Sequence, residues 1–107
     1  MFAREVTMHL KVDSQAKFAE KLEKVIIPLL RLQQGFKDEI ALVVSGGRKA
    51  VAISLWDRKE DAETYNREKY PEVLKTMGEV IEGTPAVETF DVSNSTWHKL
   101  AAAPIAA

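Results

Sequence analysis

The chain of 107 residues contains no cysteine. This absence excludes disulfide bonds, thiolate metal sites and a cysteine nucleophile together. Its two histidines, His9 and His98, lie far apart in the sequence, so they do not form the short-spaced pair typical of a histidine metal motif. The sequence therefore predicts no metal site.

An excess of charge of one sign is also missing, because fifteen basic and sixteen acidic residues give a formal charge of −1. Nucleic-acid binding favours a basic face, and no block of like charges marks a membrane-binding patch, so neither partner is predicted. Apolar runs stay shorter than a membrane span. The first twelve residues alternate and carry charges, unlike a signal peptide, and we expect a cytoplasmic protein.

What the chain does have is a clear change of hydrophobic period. Residues 2–12 alternate between apolar and polar side chains, as a half-buried strand does, with Arg4 as the exception. A helix follows, capped by Asp13 or Ser14 and ended by Gly35. Because Pro28 lies inside this helix, we expect a kink or a tightened turn near residues 24–28.

The rest of the chain also changes between strand and helix periods. Residues 39–45 and 48–56 should pair as a hairpin around Gly46–Gly47. A helix is predicted over 58–69, with Asp57 and Glu60 as a capping pair, and another runs from Pro71 to Gly83. The stretch AVETFDVS alternates and predicts the last strand.

The resulting order, β-α-β-β-α-β, indicates an α+β protein with a ferredoxin-like fold and an antiparallel four-stranded sheet. Residues 1–95 would form this domain, and residues 96–107 a C-terminal arm or tail. We expect the first and third strands to be central, parallel neighbours. This pairing would bring His9 and Trp56 together at the ends of their strands, on the sheet face away from the helices.

The predicted sheet also has an apolar second face. We place Val6, Met8, Leu10, Val51, Ile53 and Leu55 against the helices. The opposite face would then carry Thr7, His9, Ala52, Ser54 and Trp56, and it contains too many small and apolar residues to remain in water. A symmetric homodimer is the commonest way to supply the missing layer, and Trp97-His98 could belong to an arm that docks on the partner.

Several short motifs resemble those of the antibiotic biosynthesis monooxygenase-like family, whose members are dimeric α/β barrels. The motifs are Gly35-Phe36 after the first helix and a strand-ending Trp56, with Asp57, Glu60, Ala62 and Tyr65 following it. The likeness spans roughly residues 2–92. It implies a homodimer with an aromatic small molecule as its ligand and no cofactor.

Members of this family include cofactor-free oxygenases of polyketide quinols and haem-degrading enzymes. Haem-degrading members use a helix-borne Trp and His with a strand-one Asn. In this chain Tyr65 stands at the Trp position, Lys75 at the His position, and strand one has no Asn. The resemblance therefore implies a cofactor-independent monooxygenase acting on a phenol or quinol, and the alternative is a non-catalytic ligand-binding or structural homodimer.

Under the oxygenase hypothesis His9 is the catalytic base, since a histidine can accept a phenolic proton at neutral pH. The substrate-binding candidates are Trp56, Tyr65, Asn66 and Phe36. Each has a structural alternative: Trp56 as an aromatic that closes the core, Tyr65 as a packing residue, His9 and Asn66 as surface residues. Arg4 is either a salt-bridged rim residue or an anion clamp.

Overall fold

A computed structural model describes residues 1–98 of the chain. In these residues one four-stranded sheet is covered on one face by helices, in an α+β ferredoxin-like arrangement. The predicted fold class is therefore confirmed. No helix within this range is long and apolar enough to cross a membrane. Most of the predicted arm or tail, residues 96–107, lies outside the described residues.

The strands and helices follow the predicted order with shifted ends. The strands are β1 (Phe2–Leu10), β2 (Phe36–Val43), β3 (Lys49–Trp56) and β4 (Ile81–Asp91), and the helices are α1 (Gln15–Lys21), α2 (Ile27–Arg31), α3 (Lys59–Glu68) and α4 (Tyr70–Met77). The sheet order is β2-β3-β1-β4.

A π-helical turn, Leu22–Ile26, joins α1 to α2 directly before Pro28. Proline has no N–H to donate and its ring crowds the carbonyl one turn earlier, so a regular α-helix cannot continue through this point. The wider π turn confirms the predicted irregularity near residues 24–28. Leu22 and Ile26, both buried, keep the apolar stripe facing the sheet through the turn.

The predicted parallel pairing of the first and third strands is wrong. β1 and β3 are antiparallel, with Phe2 opposite Trp56 and His9 opposite Lys49. The cause is topological: β2 and β3 form a hairpin, and β3 inserts between β1 and β2 in the direction opposite to both. His9 and Trp56 therefore lie at opposite ends of the sheet.

The predicted faces of β3 are reversed as well. Residues that lie opposite each other share a face, so Ala52 and Ser54 join Val6 and Arg4 under the helices, and Trp56 joins Phe2. The residues left on the open face of β3 are Val51, Ile53 and Leu55. A one-residue shift in pairing moves every side chain of a strand to the other face of the sheet. The alternation along β3 does not by itself determine which set of side chains faces the helices.

The last strand begins earlier than predicted, at Ile81, because α4 ends at Met77 with Gly78 as its C-cap. Gly83 therefore does not end a helix. It has a φ of +69° and lies where the pairing of β4 with β1 shifts register between Thr7 and His9. The buried Val80 and Ile81 mimic the apolar stripe of a helix, although they belong to the turn and the strand.

The predicted capping pair before α3 is also wrong. The N-cap is Arg58, and no side chain caps the helix. Asp57 instead forms an ion pair with Lys37, at 3.3 Å. Asp61 is the buried acid of this turn: it accepts hydrogen bonds from the Arg58 guanidinium and packs against Gly35. These contacts fix the start of α3 against the loop before β2.

Candidate functional site

A cavity of about 50 Å³ lies between the helices and the sheet. Its walls are mostly apolar and come from β1, the π turn, α2, α4 and the start of β4. The apolar lining includes Val6, Met8, Leu22, Ile26, Leu30, Val73, Met77 and Ile81. The volume holds a few water molecules and is well below the roughly 300 Å³ at which drug-sized ligand pockets begin.

Five polar side chains reach this apolar cavity, and each comes from a different element. Arg4 lies on β1, Glu39 on β2, Ser54 on β3, Tyr65 on α3, and Tyr70 at the start of α4. The strand residues lie opposite one another in the sheet, since Ser54 pairs with both Arg4 and Glu39. A row across three strands therefore supplies three polar groups to one end of the cavity.

Arg4 is only 3% exposed and carries its charge into this cavity. One guanidinium nitrogen donates a hydrogen bond to Asn66 Oδ1 at 2.8 Å, and the carbon of the group lies 4.0 Å from the centre of the Tyr70 ring. A second aromatic ring, that of Tyr65, lies at 5.5 Å. No carboxylate within residues 1–98 lies at ion-pair distance from it, so two aromatic faces and an amide are its neighbours.

Two polar atoms at the cavity have no hydrogen-bond partner in the described part of the chain. They are Oε1 of Glu39 and the hydroxyl oxygen of Tyr70. An unpaired buried polar atom costs free energy, and in native proteins such atoms occur at sites with a function more often than elsewhere. Both atoms are available to a bound molecule.

Burial changes the acid–base properties of these groups. It raises the pKa of Glu39 to about 8, with no cation close enough to oppose it, so the side chain is mostly a neutral acid at pH 7. Burial also raises the pKa of Tyr65 to about 12, against the opposing charge of Arg4. The pKa of Tyr70 is raised by burial too. The cavity therefore combines a permanent cation with an acid that can exchange a proton near neutral pH.

The predicted site residues do not all meet at this cavity. Tyr65 lines it, whereas Asn66 reaches it only through its hydrogen bond to Arg4. Trp56 is fully buried and donates a hydrogen bond from its indole nitrogen to Ser54 Oγ at 2.9 Å. Its ring meets that of Phe36 edge-on and lies tilted against that of Tyr65, with ring centres 5.6 and 5.1 Å apart. This aromatic cluster forms the floor beside the cavity and is part of the core.

His9 lies elsewhere. Its side chain is exposed, on the open face of the sheet and at the end opposite Trp56. It is not among the residues that line the cavity. A catalytic role for His9 stays a prediction that the geometry of this cavity does not support.

Comparisons with known proteins give a fold and no close relative. No protein-family model matches the chain, and no curated protein matches it. Among solved structures, the Streptomyces coelicolor monooxygenase ActVA-Orf6, in complex with the ligand nanaomycin D, has a TM-score of 0.75 at 15% identity, over 88% of each chain. SnoaB, a cofactor-independent oxygenase from Streptomyces nogalater, has a TM-score of 0.73 at 12% identity, over 89% of this chain and 95% of that one.

A third structure carries the family name. It is a candidate antibiotic biosynthesis monooxygenase from Deinococcus radiodurans, with a TM-score of 0.72 at 11% identity, over 89% of this chain and 95% of that one. The chain has the antibiotic biosynthesis monooxygenase-like fold. The resemblance found in the sequence motifs is thus confirmed at the level of the fold.

Within this antibiotic biosynthesis monooxygenase-like fold, sequence reasoning missed most of the polar residues of the cavity. Glu39 and Tyr70 were not among the predicted site residues, and Ser54 was predicted on the opposite face of the sheet. The sequence did contain one signal: Arg4 and Glu39 are charged residues at positions where the alternation of β1 and β2 calls for apolar side chains. A charge at a core-facing position is a stronger indication of a site than an aromatic at a strand end.

Proposed function

We propose that the protein is a cofactor-independent monooxygenase of the antibiotic biosynthesis monooxygenase type that acts on a phenolic or quinol-like small molecule. The observation that carries this proposal is the apolar cavity between helices and sheet into which Arg4, Glu39 and Tyr70 bring polar groups, two of them with a polar atom that has no protein partner. The fold shared with two oxygenases of known type supports it.

Glu39 is the base in this proposal. A carboxylate whose pKa is raised to about 8 is a stronger base than an ordinary one, and it is better matched to the proton of a phenol. Once it accepts that proton, the anionic substrate passes electrons to molecular oxygen directly. For an activated CH₂ group the balance is complete: carbon gains one oxygen atom as a carbonyl, and the second oxygen leaves with both hydrogens as water.

The size of the cavity adds one requirement. A fused-ring substrate does not fit into about 50 Å³, so the lining must move to admit it. Met8 and Met77 are unbranched residues of the wall, and methionine changes rotamer at low cost. We expect the ligand to enter by displacing these side chains, with Tyr65 and Tyr70 as the aromatic walls that remain.

The open face of the sheet supports a second part of the proposal, a homodimer. Ile40 and Leu42 on β2, Ile53 on β3 and Phe90 on β4 all lie on this face, and Leu42 and Phe90 are 49% and 43% exposed. A sheet with two apolar faces needs a layer on each. A second copy of the chain, face to face with the first, would provide that layer.

The test is oxygen uptake with 1,8-dihydroxyanthrone as substrate and no added metal or cofactor. We expect uptake that rises as the pH passes through about 8, where Glu39 ionises, and a loss of at least about tenfold in the Glu39→Gln variant. Glu23→Gln, at an exposed position of the π turn away from both the cavity and the open face, is the matched control and should behave like the wild type. The His9→Ala variant separates the two candidate bases, because a loss there with Glu39→Gln unaffected would reassign the base to His9.

The alternative is a ligand-binding homodimer without catalysis, and the small size of the cavity favours it. This alternative predicts that a phenol raises the melting temperature while no oxygen is consumed. Oxygen uptake above the rate without protein, abolished by Glu39→Gln, would exclude it.

A further inference from the structure

The open face of the sheet is covered at one end. On this face one row of residues crosses all four strands in register: Phe90 on β4, Ala3 on β1, Leu55 on β3 and Asp38 on β2. The two central members are only 8% and 7% exposed, although the helices lie on the other face. Further along the same face, Leu42 is 49% exposed. A part of the chain other than the helices therefore covers the middle of the row.

The cover is a strap, residues 92–98, that follows β4. At its start the Val92 N–H donates a hydrogen bond to the Met1 carbonyl oxygen at 2.9 Å, and at its end the His98 imidazole contacts the Asp38 carboxylate through Nε2. The strap thus passes from one edge strand, β4, to the other, β2, which is roughly 14 Å away at about 4.8 Å per strand. Its half-buried residues are Val92, Ser95 and His98, at every third position. One side of the strap therefore faces the sheet.

One ionisable contact holds the far end of the strap. Within residues 1–98, the His98–Asp38 contact is the only side-chain hydrogen bond or ion pair between the strap and the sheet. Ser95 orients this end, because its hydroxyl oxygen accepts hydrogen bonds from the Trp97 and His98 N–H groups at 3.0 and 3.3 Å. The Trp97 ring remains 59% exposed, beside Ile40 of the open face. Closure of the strap therefore depends on one histidine and one carboxylate.

The charges around this contact are mostly acidic. The other charged residues on the neighbouring part of the open face, or next to Asp38 along the chain and across the strand pair, are Glu5 on β1, Lys37 and Glu39 on β2, Asp57 after β3, and Glu88 on β4. Lys37 forms an ion pair with Asp57 at 3.3 Å, so its charge is already balanced. The β3 residues of this face are apolar. A protonated imidazole is therefore attracted to this position, and by Asp38 first.

We infer that the strap is a pH-sensitive cover of the open face, closed while His98 carries a proton and loosened when that proton is lost. A histidine loses its proton between about pH 5 and about pH 8, whereas an aspartate stays ionised over this range. The charge-assisted hydrogen bond is stronger than one donated by a neutral imidazole, so closure weakens as the pH rises. Opening uncovers Ala3 and Leu55, which enlarges the apolar surface that a second copy of the chain can contact. The inference is independent of the proposed oxygenase.

Fluorine NMR of protein labelled with 5-fluorotryptophan tests the strap directly, because the chain has two tryptophans. Trp97 reports on the strap, and the buried Trp56 is an internal reference. From about pH 5.5 to about pH 8 we expect the Trp97 signal to move toward that of free 5-fluorotryptophan, while the Trp56 signal stays in place. The ratio of closed to open strap should fall at least about threefold.

Four variants identify the group that controls the movement. Asp38→Asn and His98→Gln should hold the Trp97 signal near its high-pH position at every pH. His9→Gln removes the other histidine, and Glu39→Gln removes a neighbouring acid whose pKa is raised to about 8, so both should keep the transition. Three results would overturn the inference: a Trp97 signal that does not move with pH, a transition that persists in Asp38→Asn, or one that disappears in His9→Gln or Glu39→Gln.

A single thiol measures the uncovering of the sheet. Because the chain has no cysteine, Ala3→Cys places the only thiol under the strap, and Ala86→Cys places one at an exposed position of the same face. Both are made together with Leu42→Lys, a charge on the open face that keeps a second copy away. The labelling rate of Ala3→Cys relative to Ala86→Cys should rise at least about threefold from about pH 5.5 to about pH 8, and adding Asp38→Asn should remove the rise. An equal ratio at both pH values would overturn the inference, whatever the outcome for the homodimer or the oxygenase.

Discussion

Glu39 is the residue whose environment departs most from the expectation for its type. Its pKa rises from 4.5 to about 8 through burial. Between these two values the folded chain retains a proton that the unfolded chain has released. The free energy of unfolding should therefore fall as the pH rises from about 4.5 to about 8. Below and above this range, Glu39 should not make the free energy of unfolding depend on pH.

Replacing Glu39 with Gln should remove this pH dependence. From about pH 5 to about pH 9, wild-type protein should lose roughly 2–4 kcal/mol more stability than the variant, and Glu39→Gln should be the more stable of the two at the upper end. Urea unfolding at both pH values measures the difference. Glu23→Gln, at an exposed position outside the cavity and the open face, is the control, and equal slopes for Glu39→Gln and the wild type would contradict the assignment.

Trp56 is one of the residues for which the sequence left two interpretations open. It is 0% exposed, hydrogen-bonded to Ser54 and packed against two aromatic rings, so its large side chain fills the core. Trp56→Phe should cost roughly 1–3 kcal/mol of unfolding free energy, through a lost hydrogen bond and a small void. Trp97→Phe, at a position 59% exposed, should change it by less than about 0.5 kcal/mol. Equal effects of the two changes would mean that Trp56 is not a core residue.

At the scale of elements, most helices and strands were predictable because the hydrophobic period of a helix, about 3.6 residues, differs from the period of two in a strand. Pro28 even indicated the irregular turn, since the steric conflict is local. The direction and face of β3 were not predictable from its own residues. Val51, Ile53 and Leu55 are the larger apolar side chains, yet they lie on the open face. Their placement depends on strand pairing, which is a property of the whole sheet.

The loop before β2 shows how one glycine can position an element. Gly35 has a φ of +79°, its carbonyl oxygen accepts a hydrogen bond from the Asp57 N–H at 2.8 Å, and a Cβ there would overlap the buried Asp61 carboxylate. Gly46 has a φ of +69° with open space around it. Both glycines have a left-handed backbone, but only Gly35 is also in close contact with another side chain.

Alanine substitution should separate these two effects. Gly46→Ala should cost about 1 kcal/mol, the price of a left-handed backbone for alanine. Gly35→Ala should cost roughly 2–4 kcal/mol, because it also displaces Asp61 from its contact with Arg58. Thermal or urea unfolding gives both values, and a Gly35→Ala cost no larger than that of Gly46→Ala would contradict the role of this close contact.

For the whole molecule, the apolar second face of the sheet was predictable, although its members were misassigned on β3. The polar cavity was not, because its five polar residues come from five elements that only the tertiary fold brings together. In the sequence, only Arg4 and Glu39 indicated the cavity, because they are charged residues at core-facing positions. The proposed homodimer follows from the open face.

A lysine on the open face should break that homodimer. Leu42→Lys places a charge within the apolar surface, whereas Leu32→Lys changes a residue that is 85% exposed and lies outside the sheet. Sedimentation should show a dimer for the wild type and Leu32→Lys, and a monomer for Leu42→Lys. A wild-type monomer at micromolar concentration, or a dimer that survives Leu42→Lys, would exclude this interface.

The central claim is that the cavity under the helices, and no other part of the described chain, receives a phenolic ligand. The chain has three methionines, and two of them, Met8 and Met77, line that cavity while Met1 does not. Proton–carbon NMR of protein labelled at the methionine methyl groups should therefore resolve three signals. On addition of 4-nitrophenol we expect the signals of Met8 and Met77 to shift together and that of Met1 to stay in place. A saturating titration that leaves Met8 and Met77 unmoved would contradict the account.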